Sequence, residues 1–286
     1  MSHLPDYLEG AVDLHVHSSP DIDRRRFNDL ELARVAKEAG VGAVLIKSHQ
    51  NSTVERAYLV SQCVPGIRVY GGLVLNETVG GLNLSAVRLA LTLGARQIWM
   101  PTRSARNDRL YRHQEGGISI LDESGELLPV VKDILHAVSQ SDCILGTGHL
   151  SPLETSVLVD AAVRMGVQKI LVTHPEWGPT YHSNEAQQQL ARYSNVFFER
   201  CFVSTTQLCG FVPFETIERA IAETGVERTI LSTDLGQPET PPPAEGLRLY
   251  AERLRSTGFS VDQIRTMMQA NPERLLSRSK PICQKS

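Results

Sequence analysis

The sequence has no CxxC pair, no apolar run near the ~20 residues that a membrane span needs, and no excess of either charge. Each absence removes a class of protein. The five cysteines, Cys63, Cys143, Cys201, Cys209 and Cys283, are odd in number and widely scattered, so neither a disulfide scaffold nor a paired-cysteine zinc site is expected. Reduced thiols in a reducing compartment are, with Cys143 and Cys201 in apolar, strand-like runs. The opening MSHLPDYLEG has no basic stretch and no apolar core, which argues against a secretory signal and makes cytoplasm the expected compartment. A formal net charge of −3 over 286 residues argues against nucleic acid as a bulk partner, because phosphate binding needs a basic surface. It leaves room for a small anionic substrate met by a few local arginines. Glycine-rich GxGxxG is also missing after the first apolar run, which counts against an open doubly wound sheet.

What is present is a strict alternation. Short apolar runs (AVDLHVH from Ala11, then VGAVLIKSH, IRVYGGLVL, ARQIWMPT, CILGTGH, QKILVTH, NVFFERC and RTILSTD) each precede an amphipathic stretch. In LELARVAKEAG, for example, Leu30, Ala33, Val35 and Ala36 mark one face of a helix that ends at Gly40. Near-continuous apolar strands suit burial on both faces. Eight strand-helix units predict a parallel sheet closed into a (β/α)8 TIM barrel. The length fits one α/β domain over residues 1–286, with a polar, arginine-rich insertion at 103–128 after strand four. Within that insertion ISILDESGELLP reads as a hairpin turning at Ser124-Gly125. Pro241, Pro242 and Pro243 read as a stiff loop entering the penultimate helix.

Polar residues collect at the C-terminal ends of these strands, which converge on one face of a barrel. Six of the nine histidines lie there or in the loop that follows: His15, His17, His49, His149, His174 and His182. His15 and His17, one residue apart on a strand, are expected to point the same way into the mouth and to bind one ion side by side. His149 follows Gly146-Thr147-Gly148, where small residues allow close backbone approach; a core histidine bonded to a carbonyl is the other reading, and it applies equally to His174. Asp234 ends an apolar strand. A helix N-cap is one role for it, but a buried carboxylate without a partner is costly, which favours a metal or cation beside it.

These residues together resemble the amidohydrolase superfamily of metal-dependent barrels: HxH on strand one, histidine on strands five and six, aspartate on strand eight. QANPERLL is similar to the asparagine-proline helix cap of those enzymes. The likeness spans about residues 11–276 and is closest to an uncharacterised branch, on the segments LNETVGGLN, WMPT, TGHLSP and STDLGQ. It implies one divalent metal surrounded by His15, His17, His149 and Asp234, with His174 orienting or polarising the attacked group or water and Asp234 doubling as general base. Zinc suits imidazole and carboxylate ligands; manganese, iron and cobalt suit them too. The two-metal members carry a bridging lysine on strand four or three, where this chain has none. Lys47 and His49, on one face at the end of strand two, are expected to contact substrate, with a second metal or, for Lys47, a structural pair with Asp13 or Glu77 as alternatives.

Arginines crowd the loops expected over the mouth: Arg24, Arg25, Arg26, then Arg103, Arg106, Arg109 and Arg112. Guanidinium forks match carboxylates, so a small carboxylated substrate is expected, held by Arg103 first and Arg200 second. Three function classes stay open: a hydrolase of an amide, cyclic amide, ester or lactone; a lyase that decarboxylates or hydrates a small acid, with His174 or Glu199 moving the proton; and a ligand-binding barrel without catalysis. An apolar helix face could also serve a homo-oligomer.

Overall fold

A computed structural model describes residues 7–277; Cys283 lies outside them. Eight strands, β1 (Val12–Val16), β2 (Ala43–Ile46), β3 (Arg68–Val74), β4 (Gln97–Trp99), β5 (Ile144–Gly146), β6 (Ile170–Thr173), β7 (Val196–Cys201) and β8 (Thr229–Ser232), pair in parallel and in chain order. Helices alternate with them, so the (β/α)8 TIM barrel expected from the alternation is the fold. None of the four described cysteines is in a disulfide, and no described helix is long and apolar enough to cross a membrane.

Two apolar layers hold the barrel. Outward residues such as Val44, Ile46 and Leu231 pack under the helices, while Val12, Leu14, Leu45, Val74, Trp99, Ile144, Leu171, Phe197 and Ile230 fill the interior. Trp99 is the largest of these and is fully buried. Its ring takes the space that side chains at two glycines would need: a Cβ at Gly72 would stand 2.7 Å from Trp99 Cζ3, and one at Gly146 2.6 Å from Trp99 Cδ1. Leu275 and Leu276, from the last helix Asn271–Leu276, close the lower end. Asn271 does not cap that helix, as the likeness to an asparagine-proline cap implied. The chain enters through a π-helical turn at Thr266–Ala270, and Asn271 Nδ2 donates to the carbonyls of Val226 and Thr229, both at 2.8 Å, tying the helix to the foot of β8.

The seam between the last and first strands carries the site. It is made by Thr233 donating through its hydroxyl and its N–H to Asp13, at 2.5 and 3.0 Å, and by a bridge between Val16 and Leu235. Burial pushes the Asp13 carboxyl up to about 7 against these hydrogen bonds. On β1 the register slips between Asp13 and Val16, three residues spanning what two span on β2. Simple alternation from the interior residues Val12 and Leu14 would turn His15 and His17 outward. The bulge reverses the phase and turns both inward.

The insertion after β4 is more ordered than its polar composition suggests. Leu121 and Leu127 pair antiparallel around Gly125, as the hairpin reading expected. Arg106–Tyr111 is a helix that sequence reading took for loop.

On β7 the same alternation corrects an expectation. Phe197, Glu199 and Cys201 face the interior, so Arg200 faces the helices. It is fully buried against Glu176, Gln187 at 3.1 Å and Thr224 at 2.8 Å and cannot reach a substrate in the mouth. Arg200→Met, which leaves Glu176 without its cation, is expected to cost about 3–5 kcal/mol of stability by urea unfolding; an unchanged midpoint would remove this structural role. Gly72→Ala, which also drives a methyl group into the Gln97 carbonyl, is expected to lose about 1–3 kcal/mol in the same assay.

Candidate metal centre

Five imidazoles meet at the C-terminal mouth and form a closed circuit. Ring centroids lie 5.4 Å apart for His15–His17, 5.0 Å for His17–His49, 6.2 Å for His49–His149, 5.0 Å for His149–His174 and 6.2 Å for His174–His15. Asp234 enters this circuit from the end of β8. Its backbone holds φ at +54°, its N–H donates to His15 O at 2.7 Å, and its Oδ1 stands 3.0 Å from His15 Nε2 and 2.9 Å from His17 Nε2. A left-handed backbone at a non-glycine residue is strained; here it aims the carboxylate at two imidazole nitrogens. His174 also has positive φ, at +29°.

Burial sets the charges. It draws His17, His49, His149 and His174 below the usual imidazole value, so at neutral pH they offer lone pairs. Burial works against ionised Asp234, yet His15 first, then His17, holds its carboxyl well below the ordinary range. Desolvation works hardest against a charged His15, yet the carboxylates of Asp234 and Glu199 together outweigh it, and His15 moves up. Lys47 is buried with Nζ 2.9 Å from His15 Nε2, and desolvation draws it below the ordinary ammonium value. Its neighbour is His15, not the Asp13 or Glu77 partner that a structural pair would use; Glu77 instead pairs with Arg109 at 2.6 Å.

The outer nitrogens of the rings show which way each faces. His15 Nδ1 lies 3.2 Å from Glu199 Oε2, and His149 Nδ1 lies 2.9 Å from Asp108 Oδ1. A carboxylate only accepts, so His149 carries its proton on Nδ1 and leaves Nε2 free to ligate. His15 has a carboxylate on each side, Glu199 at Nδ1 and Asp234 at Nε2, and an ion at Nε2 would leave its proton on Nδ1, facing Glu199. The Thr180 hydroxyl donates to His174 O at 2.8 Å and accepts from His174 Nδ1 at 3.0 Å, so His174 is in the same form as His149. His49 is the reverse. Thr102 Oγ accepts from Asn76 Nδ2 at 2.8 Å, and among the described residues the acceptor within reach of its own proton is His49 Nδ1, also at 2.8 Å, which leaves His49 Nε2–H as a donor. At His17 Nδ1 the neighbour is Arg25 Nη2 at 3.4 Å; an ion on Nε2 would move the proton to Nδ1 and loosen that contact.

The donor set fits a divalent ion. Ligand atoms of His15, His17 and Asp234 lie within 4.8 Å of one another, and two imidazoles with a carboxylate suit zinc and its neighbours. His149 does not join that tight trio; it stands across the circuit beside His174. A second group, His15, Glu199 and Cys201, lies beneath.

Above them opens a cavity of about 530 Å³, lined by His17, Lys47, His49, His149, His174 and Asp234 on its floor. Four of the expected arginines reach it: Arg24, Arg25, Arg103 and Arg112. Arg103 pairs with Asp23 at 2.6 Å. His182 is buried away from it, donating from Nδ1 to Thr180 O at 2.6 Å. Sequence reading missed Asp108, hidden in the unrecognised helix, and Trp177, whose ring abuts His149 and His174 at 5.1 and 4.9 Å.

Comparison with solved structures gives the same fold. An amidohydrolase from Pseudomonas aeruginosa superposes with TM-score 0.67 at 10% identity, covering 95% of this chain and 96% of that one. A putative 2-pyrone-4,6-dicarboxylic acid hydrolase from Pseudomonas putida gives 0.57 at 15%, covering 95% and 99%. A 2,6-dihydroxybenzoate decarboxylase, solved with 2,6-dihydroxybenzoate, gives 0.56 at 12%, covering 94% and 99%. No curated protein matches by sequence. Residues 10–199 match a family described as a family of unknown function, DUF6282, and the chain belongs to that family.

Proposed function

We propose that this chain is a metal-dependent hydrolase of the amidohydrolase type, acting on an amide, cyclic amide, ester or lactone bond of a small carboxylated substrate. The observation that carries the reading is the convergence of His15 Nε2 and His17 Nε2 on one oxygen of Asp234, at 3.0 and 2.9 Å. His15, His17 and Asp234 would hold one divalent ion, zinc first and manganese, iron or cobalt as alternatives, with His149 as fourth ligand; the lone pairs of His149 and His174 leave room for a second ion. When bound, such an ion polarises a carbonyl and acidifies water.

The chain's own groups supply the rest. Asp234, ionised and at the cavity floor, would take a proton from the attacking water at its free oxygen. His174, with Nε2 unprotonated, would orient that water or the attacked group. His49 Nε2–H donates to a substrate oxygen, and Lys47 and the cavity-facing arginines, Arg103 among them, offset negative charge. Glu199, one of the two groups that a lyase could use to move the proton, lies beneath His15 and is fully buried, which leaves that role to His174 in the lyase alternative.

Purified protein is expected to carry about one equivalent of divalent metal by elemental analysis, and His15→Asn to carry almost none; a metal-free wild type would end the reading. Glu199→Gln, which keeps a hydrogen bond to His15 but removes the charge, should weaken zinc binding about 10–100-fold in competition with a chelating dye. Asp234→Asn should lower kcat by about two to four orders of magnitude. In heavy-oxygen water, label should enter the product; carbon dioxide released together with an unlabelled organic product would assign the site to a decarboxylating lyase.

A further inference from the structure

We infer that Arg112 and Trp177 form the subsite that receives the substrate's carboxylate, and that the group bearing it is flat, an aromatic or conjugated ring. The inference rests on the carboxylated-substrate reading and names the residues and ligand class within it.

The cavity-facing arginines differ in how firmly each is held. Arg24 makes no hydrogen bond or ion pair among the described residues, and it is exposed. Arg103 holds Asp23 through Nη1, but both side chains are more than a third exposed, and such pairs fix little. The Arg25 side chain is buried and held on Asp21 through Nε and Nη2, at 3.0 and 2.9 Å, which leaves only Nη1 without a partner among the described residues. Arg112 combines an anchor with two open terminal nitrogens, the fork that a carboxylate needs. Its Nε donates to Asp108 Oδ2 at 2.7 Å, and Asp108 is itself fully buried, its other oxygen on His149. The terminal nitrogens Nη1 and Nη2 have no hydrogen-bond partner among the described residues, and Arg112 lines the cavity with its side chain about half exposed. A fork held at one end and empty at the other is ready for a bidentate carboxylate, with little ordering left to do on binding.

Trp177 supplies the flat wall. Its Nε1 donates to Cys209 O at 3.1 Å, which fixes the ring, and the Arg112 guanidinium lies 6.0 Å from the ring centroid. The other neighbours of the indole are His149 and His174, edge to face. A planar ring laid along Trp177 with its carboxylate on Arg112 therefore reaches toward the imidazoles where a bond would be attacked. Aromatic stacking favours a flat ring over a saturated one of similar size.

The probe is benzoate, with cyclohexanecarboxylate as the saturated control, titrated into the purified protein and followed by tryptophan fluorescence. Of the two tryptophans Trp99 is sealed in the barrel but lies against Lys47 and His15, so the response is assigned to Trp177 by its loss in Trp177→Phe. Benzoate should quench saturably and bind more tightly than cyclohexanecarboxylate. Arg112→Gln should weaken benzoate about tenfold or more, and Arg112→Lys, which keeps the charge on Asp108 but loses the fork, should also bind less tightly, both measured well below the melting temperature of each variant. Benzoate has no bond to hydrolyse, so this outcome is independent of whether the chain is a hydrolase. Equal binding by Arg112→Gln overturns the subsite, and so does binding that disappears with a chelator yet ignores Arg112, because the carboxylate would then sit on the metal. Equal affinity for the two acids overturns the flat-ring class.

Discussion

Everything at the mouth depends on how the last strand meets the first. Asp234 stands just past β8 with its N–H on His15 O and its carboxylate on the Nε2 atoms of His15 and His17. Backbone closure and side-chain convergence are thus one set of contacts. The barrel closes through the residues that would bind an ion, and the left-handed φ of Asp234 is the local strain that this arrangement sustains. Asp13 and Thr233, one step deeper, hold the seam from below.

Much of this was legible in the sequence, and the reasons are physical. Eight apolar runs separated by amphipathic stretches have few architectures open to them, and strand ends in a parallel barrel all lead to one face. The gathering of His15, His17, His49, His149 and His174 follows from topology alone. Their facing does not. The inward turn of His15 and His17 looks like simple alternation, yet it depends on the bulge between Asp13 and Val16, which has no glycine or proline to announce it. Arg200 was misjudged for a related reason: it ends a strand, but position along a strand does not give its face, and Glu199 and Cys201 hold the inward positions.

A buried circuit of imidazoles is costly unless it is neutral or compensated. Desolvation keeps four of the five below their ordinary value, so the floor carries Asp234 and Glu199 as acids with Lys47 beside them as base. Each charge taken from water must be answered locally. A divalent ion beside His15 Nε2 would answer Asp234 directly and Glu199 only through the His15 ring between them. The mouth above it is different in kind: arginines, Trp177 and Tyr111 line it, and these suit an organic anion better than water alone.

The loop after β4 belongs to both levels. Its arginines marked it as a loop over the mouth, but the helix Arg106–Tyr111 places Asp108 under His149, and Asp108 fixes the proton of that ring on Nδ1. The same carboxylate holds Arg112 by its Nε. One buried side chain therefore orients a floor imidazole and a rim guanidinium together, so the position of a bound carboxylate and the facing of His149 are set by a common anchor. Shifting this helix by a single residue would turn Asp108 away from both, because neighbouring positions on a helix point about 100° apart. The insertion is accordingly part of the frame of the site, and its length and phase constrain the chemistry as firmly as the strand ends do.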